Sequence, residues 1–201
     1  MGIVARLDPL PPDSTPELQD QFASFLKSLG FVPNSVLTMQ RNPGLVRAFV
    51  ALQGAIWGPD SEVDRGFKRL LAHAASRAAC DPYSMAHTAS GALHFGIPPE
   101  KLAGVRDFET SPLFTAAEKA ALRTAAGAAA VPNAVTDEVF AELRKHWSEN
   151  QIVEIVAVLA ATGFVNRWNT TMTTPLEDEP MDVAERHLAG QGWSPGGHGR
   201  R

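Results

Sequence analysis

RLLAHAASRAACDPYSMAHTASGALHFG, residues 69–96, reads as one helix, a tight break at Cys80-Asp81-Pro82, and a second helix. An Asp at a helix start accepts hydrogen bonds from the first free N–H groups, and Pro fits the first helical position. The second helix is therefore expected to begin at Pro82. On it Tyr83 and His87 are four apart and Ser84 and His87 three apart, which puts the three side chains on neighbouring faces. On the first helix Arg69, His73 and Arg77 recur at i, i+4 and i+8, a single basic stripe directed at the same corner. Both helices are otherwise small and apolar, so the meeting of two polar stripes marks the corner as the place to expect a site.

Outward from this hairpin the chain keeps a helical period. Residues 1–13 form a Pro-rich arm, and Ser14-Thr15-Pro16-Glu17 opens a helix with Leu18, Phe22, Phe25 and Leu26 on one face, ended by Gly30. Asn42-Pro43 opens another, with Val46, Phe49, Val50, Gln53 and Trp57 as its stripe, and Ser61 is expected to cap the helix that carries Arg69. Thr115/Glu118 and Ser148/Gln151 have the spacing of capping boxes, opening helices of about 15 and 22 residues, with a further helix from Thr136 to Trp147 between them. The last long helix is apolar nearly all round in its middle and is expected to be buried. Apolar runs long enough to pair as strands have helical spacing and helical caps, so the reading is one all-α domain over 14–174. A tail over 175–201 follows, acidic, then helical, then Gly-rich and expected to contact a neighbouring subunit or to fray.

With 201 residues, 44% hydrophobic and 20% charged, the chain is long enough for one sizeable core. A formal charge of −4 without a Lys/Arg cluster gives no nucleic-acid footprint, and no apolar run reaches the roughly 20 residues of a membrane span. The N-terminus lacks a signal peptide's apolar stretch, so a cytoplasmic location is expected. Cys80 is the single cysteine, so no dithiol–disulfide cycle can run within one chain. The six histidines show no His-Glu-x-x-His pattern, and there is no phosphate loop or dinucleotide fingerprint. No metal and no cofactor are expected.

The run SRAACDPYSMAHTASGALHFGI resembles the core motif of the alkylhydroperoxidase D-like, or carboxymuconolactone decarboxylase, superfamily. In its thiol members the motif runs small residue, Cys, x, Tyr, Cys, x, x, His, Thr, with a Gly nine after the His. Tyr83, His87, Thr88 and Gly96 match. The two cysteine positions fall on Asp81 and Ser84, Cys80 lies one residue before the first, and the family's acid falls on Arg69. The resemblance continues through SPLFTAAEKAALRTA, VPNAVTDEVFAELRKHW and GFVNRWNTTMTTPLEDEP. It implies an alkylhydroperoxidase D-like helical bundle and a symmetric homo-trimer or homo-hexamer, with the arm and tail as candidates to wrap neighbours.

His87 is the first choice for chemistry, since an imidazole exchanges protons near neutral pH and also matches the family's histidine. Tyr83 and Ser84 supply hydroxyls that orient a substrate or hold an oxyanion, or pack as filler. Arg69, with His73 on its stripe, is a candidate anchor for an anionic substrate, or else a subunit contact. Asp81 is an N-cap first and a carboxylate at the pocket mouth second. Cys80, the candidate redox residue, ends a helix whose partial negative charge raises a thiol's pKa, and is expected to be buried and inert. Glu154 in the apolar last helix must be paired or perturbed, with Arg69 or Arg77 as the expected partner. A serine hydrolase using Ser84 and His87 is less favoured, because no acid orienting His87 can be identified in the sequence.

Three functions are open at this stage. The first is a cofactor-free acid–base enzyme of decarboxylase, isomerase or lyase type, acting on a small organic acid or carbonyl compound. The second is an alkylhydroperoxidase-like thiol peroxidase using Cys80. The third is a homologue without turnover.

Overall fold

A computed structural model describes residues 5–199. The first four residues of the arm and the last two of the tail lie outside the described residues. Ten α-helices follow in order: α1 Gln19–Leu29, α2 Asn34–Met39, α3 Pro43–Ile56, α4 Arg65–Ala78, α5 Pro82–His94, α6 Pro99–Gly104, α7 Ala116–Ala129, α8 Asp137–Arg144, α9 Glu149–Met172 and α10 Asp178–His187. Short 3-10 turns link several of them, and the described residues contain no strand. The chain is all-α, as expected.

The antiparallel pair α4 and α5 is the centre of the packing; α4 also touches α7 and α9, and α5 touches α10 and α9. Its inner residues Leu70, Leu71, Ala86, Ala89 and Ala92 are fully buried. Alanines facing another helix let the two backbones approach closely, while each buried leucine contributes about 1.5–3 kcal/mol. Trp147 stacks on Phe67 at 5.6 Å and seals the α8 end of this core. A second core, with Leu18, Phe22, Val36, Met39, Val46 and Phe49, joins α1–α3 to Val165 and Trp168 of α9.

Local signals in the sequence fixed most helix ends. Asn42, Asp81, Thr115, Thr136 and Ser148 all cap as read, and both capping boxes are complete. Ser61 does not cap α4; Asp64 does, accepting the Phe67 N–H at 2.8 Å. Ser61 is instead turned toward Glu154 and the Val63 carbonyl. Near the N-terminus two 3-10 turns, Pro12–Ser14 and Pro16–Leu18, precede α1, because closely spaced prolines interrupt the N–H ladder.

The break between α4 and α5 is tighter than its sequence suggests. Cys80 N–H donates to the Arg77 carbonyl at 3.0 Å and Asp81 N–H to the Ser76 carbonyl at 3.0 Å, the two bonds of a Schellman stop. Asp81 therefore closes one helix with its backbone and caps the next with its side chain. Cys80 occupies the left-handed position, φ 53°, where a side chain is disfavoured. It is also exposed, not buried, because that position turns its side chain away from both helices. A Cys80→Gly variant should be about 1 kcal/mol more stable, raising Tm by about 2–4 °C in thermal melts. An unchanged or lowered Tm would show that the strain is relieved elsewhere.

Two further expectations are corrected. Only one face of α9 is buried: Ile155, Val158 and Asn169 are covered, whereas Val153 is 68% exposed and Val156 and Phe164 also face outward. Within this chain α3, α4, α5, α7 and α8 pack on the helix and leave the stripe of Val153 and Val156 uncovered. The Gly-rich end, expected to fray, folds back along its described length: Trp193 Nε1 donates to the Pro82 carbonyl at 3.1 Å, and Leu176 N–H to the His198 carbonyl at 2.9 Å. The aromatic rings of Trp193 and His198 supply the buried area that the glycines lack.

Candidate functional site

His87 lies on the second turn of α5, and its Nε2 is 2.6 Å from Glu177 Oε2. Glu177 stands just before α10 and is a hub: its Oε1 accepts from Tyr83 Oη at 2.9 Å and from the Asn34 backbone N–H. Asn34 also donates through Nδ2 to the Pro175 carbonyl at 2.9 Å, which ties α2 to the segment holding Glu177. The imidazole stacks on Tyr83 at 4.5 Å and meets the edge of Phe31 at 5.8 Å. Its side chain is 19% exposed and that of Glu177 11%, so the pair is sheltered but not sealed from solvent.

Burial pushes the Glu177 carboxyl up. Its electrostatic interaction and hydrogen bond with His87, together with the Asn34 N–H, outweigh this and hold it below the ordinary carboxylate range. It is the anion of the cluster. Burial, then the Glu177 charge, pushes Tyr83 well above the usual phenol value. Tyr83 therefore stays a phenol and serves as a fixed donor to Glu177.

The other residues of the corner divide. Ser84 is 3% exposed, and its hydroxyl lies against the Asp81 carboxylate without a well-formed hydrogen bond. It forms no hydrogen bond with His87. Asp81 is fully buried under the tail, with one oxygen 3.9 Å from His198 Nε2 and the other unpartnered. Burial raises its carboxyl, partly offset by Ser84 and by the charge of His198. It is a cap in the interior, not a carboxylate at a pocket mouth.

His73 is buried, its Nδ1 within reach of the Met85 carbonyl at 3.1 Å and Thr88 Oγ1 at 3.2 Å. Burial holds it down at about 4, so it is neutral and braces α4 against α5. Arg69 spreads its guanidinium over the Trp57 ring, 3.9 Å from the centroid. Its Nε has no hydrogen-bond partner. Burial, then Arg65, lowers it to about 10, which leaves it charged at neutral pH.

Arg69 reaches its place by crossing α5 at Gly91, where an added Cβ would come within 3.0 Å of the arginine Cδ. Gly91 is one turn along from His87, about 6 Å, on the same side of the helix. Glu154 does not pair with Arg69 or Arg77. It meets Lys68 at 2.7 Å and accepts from the Glu62 and Val63 N–H groups, bracing the loop before α4.

The sequence did not point to Glu177. It lies 90 residues from His87 in an acidic run, and nothing local distinguishes it from Asp178 or Glu179. No group of three or more His, Cys, Asp or Glu side chains among the described residues is arranged to hold a metal. The described helices include none long and apolar enough to cross a membrane.

Residues 43–127 match the Carboxymuconolactone decarboxylase family. Over 78 residues the chain is 31% identical to the uncharacterized protein YnjA of Escherichia coli (strain K12), a stretch covering 39% of this chain and 43% of that protein. The chain thus spans under half the length of that curated relative. The structure of the debrominase Bmp8 superposes with a TM-score of 0.82 at 32% identity, covering 89% of this chain and 96% of that one. A cysteine-to-alanine variant of Bmp8 in complex with 2,3,4-tribromopyrrole gives 0.85 at 31% identity, over 92% and 99%. The alkylhydroperoxidase AhpD core of a peroxidase-related protein from Ralstonia eutropha JMP134 shares the fold, with a TM-score of 0.73 at 22% identity over 87% and 94%.

Proposed function

The chain belongs to the alkylhydroperoxidase D-like/carboxymuconolactone decarboxylase superfamily, and from that premise we propose that it is a cofactor-free acid–base enzyme acting on a small anionic organic compound. The observation that carries this reading is the 2.6 Å contact between His87 Nε2 and Glu177. A carboxylate on one ring nitrogen fixes the tautomer and leaves the other as the base. In this reading Nε2–H donates to Glu177 and Nδ1 takes a proton from the substrate, then returns it at another atom. For a decarboxylation, the carboxylate leaves as carbon dioxide, its bonding electron pair stays on the substrate carbon, and the imidazolium protonates that carbon. For an isomerisation, His87 removes and restores a proton beside a carbonyl. Arg69, whose side chain crosses α5 at Gly91 and lies over Trp57, holds the anionic group in this reading.

The Bmp8 complex supports a compact heteroaromatic ring, including a halogenated one, as the substrate type. The exposed apolar side chains of α9 support the trimer or hexamer implied by the family. The reading is tested by incubating the protein in deuterium oxide with small aromatic acids and carbonyl compounds, following exchange and product formation by NMR. Arg69→Met should raise KM for an anionic substrate by about 10–100-fold, with little change in kcat, because one charged hydrogen bond is lost. A kcat loss with constant KM would remove the anchoring role.

The exposure of Cys80 favours a second reading, a thiol peroxidase. There the thiolate cleaves the peroxide O–O bond, becomes a sulfenic acid and releases an alcohol, and an external thiol reduces it. The Cys80→Gly variant distinguishes the two: it keeps acid–base turnover and loses any peroxide consumption that the wild type has.

A further inference from the structure

Glu177 occupies the N-cap position of α10, yet its side chain makes no capping bond to that helix. Its carboxylate is turned to His87 and Tyr83 instead. Where that carboxylate stands depends on how the backbone before α10 is held. Residues 173–177 link α9 to α10 outside any helix. Thr173 takes a left-handed φ of 51°, and Pro175 brings no N–H. Thr174 and Leu176 are buried, so their backbone polar groups need partners from elsewhere in the chain.

His198 supplies two of them. Its carbonyl accepts the Leu176 N–H at 2.9 Å, and its ring Nδ1 lies 2.7 Å from the Thr174 carbonyl. A carbonyl oxygen can only accept, so Nδ1 carries a proton and donates it. The ring also faces α5: Nε2 is 3.9 Å from Asp81 Oδ1, and the ring centroid is 5.9 Å from that of Tyr83. Trp193, on the same stretch of tail, donates to the Pro82 carbonyl and fastens the tail to the start of α5. His198 is itself buried. It stands between the helix that carries His87 and the segment that carries Glu177.

We propose that His198 is a positioning residue for the His87–Glu177 pair, clamping residues 174–176 against the start of α5 through its Nδ1–H and its carbonyl. The inference rests on the acid–base reading of that pair and adds what keeps its geometry. His198 acts through Glu177 and exchanges no proton with substrate. Asn34, which donates to the Pro175 carbonyl and to Glu177, holds the same segment from the α2 side. A displacement of about 1 Å in a catalytic constellation can cost about 10²-fold in rate, which is the scale on which such a clamp matters.

The test compares the full chain with two variants. His198→Leu fills the space without a ring donor, and His198→Asn places an amide nitrogen close to the position of Nδ1. The first readout is the low-field proton resonance of His87 Nε2–H, assigned by its loss in His87→Gln. A short charged hydrogen bond moves this signal downfield and slows its exchange with water. It is expected in the wild type and in His198→Asn, and should shift upfield or broaden away in His198→Leu. On a substrate from the deuterium screen, kcat should fall about 10–100-fold in His198→Leu with KM nearly unchanged, and return to within about threefold of wild type in His198→Asn.

A folded His198→Leu that keeps either the resonance or the kcat overturns the proposal. So does a His198→Asn that behaves like His198→Leu, because the packing of the ring and not its donor would then hold the segment. Nitrogen NMR shifts that place the wild-type His198 proton on Nε2 alone overturn it whether or not either variant folds. A negative deuterium screen with the resonance behaving as expected overturns the acid–base reading and leaves the clamp standing.

Discussion

A His87→Gln variant is expected to lose about 10²–10⁴-fold in kcat on whichever substrate the deuterium screen identifies, with its KM nearly unchanged. Glutamine fills the space between Tyr83 and Phe31 and can still donate to Glu177, so the fold should be retained. What disappears is the second nitrogen that exchanges protons. Glu177→Gln should act in the same direction without touching the imidazole. Its amide can donate to Nε2, which favours the tautomer with the proton on Nδ1 and so blocks the base. Steady-state kinetics on both variants, with far-UV melts as a folding control, separate this from a structural role. Full turnover in folded His87→Gln would exclude the acid–base reading.

The second large effect is on stability. Glu154→Ala is expected to cost about 3 kcal/mol, toward the lower end for breaking a buried ion pair, because it strands Lys68. The Lys68 side chain is 2% exposed while that of Glu154 is 23% exposed, so the loss is felt mostly by the lysine. Its ammonium retains the Ile56 carbonyl at 2.9 Å but loses its counter-charge. At about 2–4 °C per kcal/mol for a chain of this size, Tm should fall by about 6–12 °C. A Lys68→Met/Glu154→Gln double variant should regain much of this, since no buried charge is then left unpaired and only the Ile56 carbonyl loses its donor. If the single variant melts with the wild type, the pair contributes only surface electrostatics.

The same pair sets a pH dependence. Burial pushes the Glu154 carboxyl up, but Lys68, Ser61 and the N–H groups of Glu62 and Val63 outweigh it and hold the carboxyl at about 2, against an ordinary 4.5. A depressed carboxylate contributes stability above its unfolded value and loses it as the pH falls through the folded one. The gap in Tm between wild type and Glu154→Ala should therefore be constant above pH 4.5 and shrink from there to about pH 2. A gap that persists at pH 2 would point to lost packing instead.

What could be read from the chain alone was most of what is settled within a turn or so of helix, the α4 cap at Asp64 being the exception. The Asp81-Pro82 start, both capping boxes, the Gly30 stop and the stripe of Tyr83 and His87 depend on groups up to four residues apart. Their hydrogen bonds form wherever the segment ends up, so sequence suffices. That the resemblance aligns Asp81 and Ser84 with a cysteine pair is equally a matter of order along the chain. Local reading went wrong where exposure was at stake: Cys80 sits at a helix end that had to be closed by a left-handed residue, and that conformation turned the thiol outward.

Charge partners were decided by the tertiary structure. Lys68 and Arg69 are consecutive on α4, and only the approach of α9 determines that Glu154 meets the lysine while the arginine lies on Trp57. Glu177 became the partner of His87 because α10 packs along α5, a contact closing a loop of 90 residues. Sequence determined which helix would carry the imidazole and on which face. Which carboxylate would orient it followed from how the tail returned across that face, a long-range event with no local periodicity to announce it.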